Sequence, residues 1–197
     1  MAKHENEETR KQQILTAAAK CIARYGYYTT SVDIIAKEAK LSKGAIYWYY
    51  KSKEEVFVAL SEWRWKQNVE YMEALEAKST TFREFLNTMV EATSQFILSV
   101  TYELRTIHEL NALATENAEL RRVLVGNDLA MHKIFVRVLK RFVKSGELRK
   151  NIKPDEAATY MRCVVDGFAI HAGRENAPLL AKTMKTAFLS FYLDLKA

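Results

Sequence analysis

Residues 30–53 read TSVDIIAKEAKLSKGAIYWYYKSK, two short helical patterns parted by Lys40, Leu41 and Ser42. In the first, Val32, Ile35, Ala36 and Ala39 recur at helical spacing, and Thr30 or Ser31 stands where a cap belongs. In the second, Ser42 is placed to cap a helix running through Tyr50, because its hydroxyl can accept from an otherwise orphan amide. Two helices joined by so short a turn make a helix-turn-helix candidate. At about 100° per residue, Ile46 and Tyr50 point one way and Gly44 and Trp48 nearly the opposite way. The first pair is assigned to the core and the second to display.

The displayed strip is unusual for a solvated surface. Lys43 and Tyr47 flank it on one side and Ala45 and Tyr49 on the other, so a short helix offers one cation, several aromatics and two small residues. Small residues let a backbone approach a groove closely, while hydroxyls and an ammonium reach phosphates or base edges. From Lys37 to Lys53 five lysines stand against one glutamate. Lys53 also opens the next helix, where its ammonium and the free amides of that helix end can hold a phosphate together. The competing reading is a solvated polar face beside ordinary core aromatics.

Outward from this stretch the whole chain reads as helix. Residues 1–9 are polar and expected to form a mobile arm. From Thr9 onward Ile14, Ala17, Ala18, Cys21, Ile22 and Tyr25 line one face, and Gly26 supplies the stop. Glu54 to Lys78 is a long helix with Val56, Leu60, Trp63 and Gln67 inward, and the domain boundary is placed at its start: a head over 1–53 and a body over 54–197. Further helices are expected over 82–100, 102–114, 117–145 with an offset near Gly126, 155–172 and 178–195, with Pro154 opening one of them. The fold class is therefore all-α: a three-helix N-terminal head and a bundle of about six helices.

Composition agrees. Two prolines and six glycines in 197 residues leave little material for turn-rich sheet. A net charge of +6 permits a polyanionic partner without demanding one. Cys21 and Cys163 are isolated, which excludes a metal knuckle or redox pair and suits a reducing cytoplasm. No apolar run approaches the about 18 residues of a spanning helix, so no membrane partner is expected.

The stretch TSVDIIAKEAKLSKGAIYWYYKSKEEVF resembles the N-terminal signature of the TetR family of bacterial transcriptional regulators, through Ala36, Ser42-Lys43-Gly44, Ile46-Tyr47 and Lys53-Glu54. The resemblance covers about residues 10–60. It implies a double-stranded DNA operator as partner, with Ser31, Tyr47, Lys53 and also Tyr49 on phosphates and Lys43, Gly44 and Trp48 facing base edges; Thr30 and Ser42 complete the candidate DNA-binding set. Two positions depart from the family pattern. Lys40 stands where glycine is usual in the turn, at a steric cost of about 1 kcal/mol if it is left-handed, and Tyr50 stands where phenylalanine is usual.

The resemblance further implies a homodimer through the last two helices and a small apolar or amphipathic effector in the body, hence a repressor released from a palindromic operator. Two helices rich in Phe, Met, Val and Tyr exceed what one small bundle buries, which also favours a two-fold dimer. Trp63, Met89, Phe96, His108, Met131, Phe135 and Phe168 are the candidate effector-binding residues, as inward aromatics, methionines and a histidine. One alternative is a constitutive DNA-binding protein without an effector. A more remote one is a small helical enzyme using His108 as a base, but no nucleophile elbow, phosphate loop or His-x-x-x-His pair accompanies it, so no catalysis, cofactor or metal is expected. Lys133, Arg137, Lys140, Arg141 and Lys144 form a basic stripe that reads as a solvated outer face.

Overall fold

The structure, a computed structural model, describes residues 2–99, 108–172 and 176–197; the side chain of Phe96 and the start of the helix expected from 102 lie outside the described residues. Its elements are α1 (Ala2–Tyr25), α2 (Val32–Ala39), α3 (Lys43–Tyr49), α4 (Lys53–Lys78), α5 (Phe82–Ser99), α6 (108–113), α7 (Ala118–Ser145), α8 (Pro154–His171) and α9 (Ala177–Leu195). Among the described residues there is no strand; Leu148 and Lys196 make one isolated bridge. The fold is all-α.

Each boundary has a local cause. Gly26, at φ 82°, turns the chain out of α1 and donates its amide to Ile22 O at 2.7 Å. Ser31 caps α2 by accepting from Ile34 N at 3.3 Å, and Ser42 caps α3 by accepting from Ala45 N at 3.1 Å. Between them Lys40 is left-handed, φ 55° and ψ 43°, while Leu41 N donates to Ala36 O at 2.9 Å and closes the end of α2. Ser52 accepts from Glu55 N and caps α4, and the Glu55 carboxylate accepts from Lys51 N, the amide just before the cap. Pro154 opens α8 within its first turn, where a missing amide costs nothing.

Some expectations change. α1 begins at Ala2 rather than near Thr9, so the polar arm is continuous with the helix; Glu7 and Lys11 pair at 2.9 Å one turn apart and support it. α7 passes through Gly126 unbroken, with open space around that glycine. Gln67 is exposed rather than inward.

The chain packs as two compact units. The head unit is Met1–Trp65 with Thr101–Val125, and the body unit is Lys66–Val100 with Gly126–Ala197. The head unit thus extends beyond the boundary expected at Lys53, because Val56, Phe57 and Leu60 of α4 and Leu110 and Leu120 join the core that Ile14, Ile22, Ile35 and Ile46 begin. α4 and α7 each contribute to both units.

In the body unit α9 packs on α5 and α8, with Phe85, Met161, Met184 and Phe188 buried. Glu147 accepts from Phe82 N and Arg83 N at the start of α5, and its carbonyl accepts from Ala197 N, which ties down the C-terminus. The basic stripe is only partly a solvated face. Arg137 donates Nε to both carboxylate oxygens of nearly buried Glu76 at 2.8 Å, and Arg141 donates to Glu76 O and Ser79 O at 2.7 Å, closing the C-terminal end of α4. Glu76 and Ser79 lie more than sixty residues from their arginines in sequence, which is why spacing alone left the stripe unpartnered.

A side chain at the left-handed turn has a measurable consequence. Lys40→Gly relieves Cβ strain and gives back part of the gain as unfolded-state entropy, so chemical denaturation should show a net rise in stability of about 0.5–1 kcal/mol. A fall would mean that the Lys40 side chain itself holds the turn.

Candidate nucleic-acid interface

Ile46 is fully buried and Tyr50, 7 % exposed, follows it as the C-cap of α3, so one side of this helix is fixed to the head core. Burial pushes the Tyr50 hydroxyl up to about 12, which keeps it neutral. The opposite side is offered to solvent: Trp48 is 84 % exposed and Tyr47 47 % exposed, with Ser42, Lys43 and Gly44 also exposed and Tyr49 half-buried. An indole left that open on a well-packed helix has no folding role, and its ring can stack or wedge against a partner. A Cβ built on Gly44 meets only Ser42 Oγ, at 3.9 Å, so nothing in the fold demands glycine there.

The remaining sequence-derived positions divide. Ser31 is exposed at the N-terminus of α2. Thr30 is not displayed: it is 1 % exposed and its hydroxyl donates to Gly26 O at 2.7 Å, closing the loop after α1. Its sequence position beside Ser31 suggested capping, but the local turn bond takes the hydroxyl inward. Lys53 is half-buried; its Nζ donates to Tyr27 O at 3.1 Å and lies 4.1 Å from the centre of the Tyr27 ring. The Lys43 ammonium is 2.8 Å from Asp33 Oδ2, and that contact raises its pKa.

Tyr27, in the connection between α1 and α2, is buried and joins three segments. Its amide donates to Glu109 Oε2 at 2.9 Å, its hydroxyl donates to Glu54 Oε1 at 3.1 Å, and its ring packs on Phe57 with centroids 4.9 Å apart. Desolvation, with Glu54 next in size, pushes the Tyr27 hydroxyl up to about 12. The sequence signal was the Tyr27-Tyr28 doublet after Gly26, one ring buried and the other 77 % exposed.

Two family models match this chain. Residues 14–60 fit the bacterial regulatory proteins of the tetR family, and residues 82–195 fit the C-terminal domain of BetI-type transcriptional repressors. The chain belongs to the TetR family. A curated relative, the fatty acid metabolism regulator protein of Bacillus subtilis (strain 168), is 30 % identical over 140 residues, 71 % of each chain. Among solved structures the chain is similar to FadR from Bacillus subtilis in complex with stearoyl-CoA, with TM-score 0.75, 24 % identity and coverage of 88 % of this chain and 94 % of that one. It is also similar to a transcriptional regulator from Saccharomonospora viridis in complex with choline, with TM-score 0.76, 20 % identity and coverage of 91 % and 95 %.

TetR-family chains are DNA-binding transcriptional regulators, and relatives carry small molecules. The effector candidates of this TetR-family chain fall into different units. Trp63 is half-buried against the head core, and His108, half-buried with Nε2 unpartnered, belongs to the same unit. Met89, Met131 and Phe135 are buried in the body unit, and Phe168 there is half-buried. Phe135 meets Phe85 edge-on at 6.4 Å, an ordinary core contact. No described helix is long and apolar enough to cross a membrane.

Gly44 allows folding and a DNA contact to be tested apart. Gly44→Ala should leave the thermal midpoint unchanged or raise stability by up to about 1 kcal/mol, since alanine is the better helix former. DNA affinity should fall if the exposed face of α3 meets DNA, because the added methyl stands on that face. A destabilised alanine variant would show that the fold requires the glycine.

Proposed function

We propose that this chain is an effector-responsive repressor whose two-fold dimer holds a palindromic operator and is released by an apolar or amphipathic small molecule. The observation that carries it is the offered face of α3, where Trp48 and Tyr47 are exposed while Ile46 and Tyr50 anchor the helix behind them. Lys43, Gly44 and Trp48 face base edges, while Ser31, Tyr47, Tyr49 and Lys53 meet phosphates. Lys53 releases the Tyr27 carbonyl or shares its three donors to do so.

The dimer is formed by the last two helices. Tyr160 and Ile170 on α8 and Leu179, Leu189 and Leu193 on α9 are all more than two-fifths exposed, an apolar surface that an isologous partner covers. A palindromic operator presents its two half-sites to the two copies of α3 about 34–36 Å apart, one turn of DNA. The amphipathic effector is supported by the acyl-CoA in one relative; choline in another favours a small cation as the second ligand class. α4 and α7, contributing to both units, are the continuous elements through which an occupied body alters the head. A constitutive DNA-binding protein is the second functional reading.

Tyr47→Ala and Trp48→Ala should each weaken operator binding at least about tenfold, roughly 1.4 kcal/mol, with circular dichroism and sedimentation unchanged. Unaltered affinity in both would remove the DNA reading. Titrating long-chain acyl-CoA, then choline, into the operator complex should dissociate it with the first. A panel of amphiphiles that changes neither affinity nor thermal midpoint would favour the constitutive reading, and a monomer that binds a half-site tightly would contradict the dimer.

A further inference from the structure

The offered helix contains a single cation in its own sequence, Lys43, and Asp33 holds it. The Lys43 ammonium lies 2.8 Å from Asp33 Oδ2, in the first turn of α2, with side chains 52 % and 64 % exposed. So open a pair is screened by water and contributes little to stability. Asp33 is not required as the cap of α2 either, because Ser31 accepts the free Ile34 amide. A carboxylate remains, on a surface whose other charges between Lys37 and Lys53 are five lysines and one glutamate, where it disfavours any polyanion.

We propose that Asp33 is a specificity-determining residue that acts through Lys43, keeping the ammonium off backbone phosphates so that DNA lacking the operator is held weakly. This rests on the DNA-binding function proposed above. Binding without sequence preference depends on neutralising phosphates, which lie along the rims of the groove. A phosphate competes with the Asp33 carboxylate for one ammonium and sets two anions against a single cation. A base edge is different. The first residues of a recognition helix lie over the bases, and an ammonium has three donors, so one stays on Asp33 Oδ2 while another meets a guanine acceptor. The acidic partner thus penalises the general contact more than the specific one, a discrimination built from repulsion.

The test uses the full chain, an operator duplex recovered by selection from random DNA, and a scrambled duplex of the same length, read by fluorescence anisotropy across a salt series. Asp33→Asn should raise affinity for the scrambled duplex about tenfold and for the operator less than about threefold, and steepen the scrambled-duplex salt slope by about 2, one phosphate for each head of the dimer. Asp33→Ser, which keeps a polar first turn, should reproduce this at an unchanged thermal midpoint. In a Lys43→Gln background Asp33→Asn should change the two affinities equally or not at all. An unchanged ratio of operator to scrambled affinity in both Asp33 variants overturns the inference, as does the same loss of ratio with Lys43 already replaced. A wild-type chain that selects no duplex overturns the DNA reading itself and the inference with it.

Discussion

The head depends on what converges at Tyr27. Its ring is buried against Phe57, its carbonyl takes the Lys53 ammonium, its hydroxyl donates to Glu54, and its amide donates to Glu109. These contacts bind the loop after α1, the start of α4 and α6 into one unit. Deleting the ring alone removes a large buried apolar group, a loss of about 3–5 kcal/mol for an aromatic, and leaves the Glu54 carboxylate without its phenol donor. The exposed face of α3 stands on this block. α2 and α3 are too short to persist alone and take their positions from the core they share with α1 and α4.

Within that block the angle between α2 and α3 is set by one backbone choice. Lys40 is the sole non-glycine residue with positive φ among the described residues. The Leu41 amide reaching back to Ala36 O makes the sharp reversal hydrogen-bonded rather than loose. The turn therefore holds strain in exchange for a defined exit direction, and Ser42 begins the next helix at once. Ion pairing then works on top of the angle: Asp33 and Lys43 bridge the first turns of the two helices at the edge that faces outward.

Most of the head was legible in its sequence because its determinants are local. Helical spacing found Ile35, Ala36 and Ile46, the hydroxyl residues Ser31 and Ser42 marked the helix starts, and Lys40, Leu41 and Ser42 marked the break between them, while the left-handed form of Lys40 was suggested only by the family's usual glycine there. The burial of Tyr50 against the exposure of Trp48 followed from about 100° per residue. What was not legible depends on distant partners or on a bond that competes with an obvious one. Thr30 looked like a cap and instead bonds back to Gly26. Glu109 lies 82 residues from Tyr27, so its role was invisible to spacing, as was that of Arg137 on Glu76. The effector set was the least legible, since inward periodicity marks Met89 and Phe135 as buried but does not distinguish a core from a chamber wall.

The central claim is that the exposed face of α3 is covered by DNA, and Trp48 reports on it directly. Replacing Trp63 and Trp65 by phenylalanine leaves Trp48 as the only indole of the chain. Acrylamide quenching should then be efficient in the free protein and fall severalfold, to a small fraction of its free value, on saturation with operator duplex. Quenching that stays the same with operator bound would place the DNA elsewhere and contradict the account.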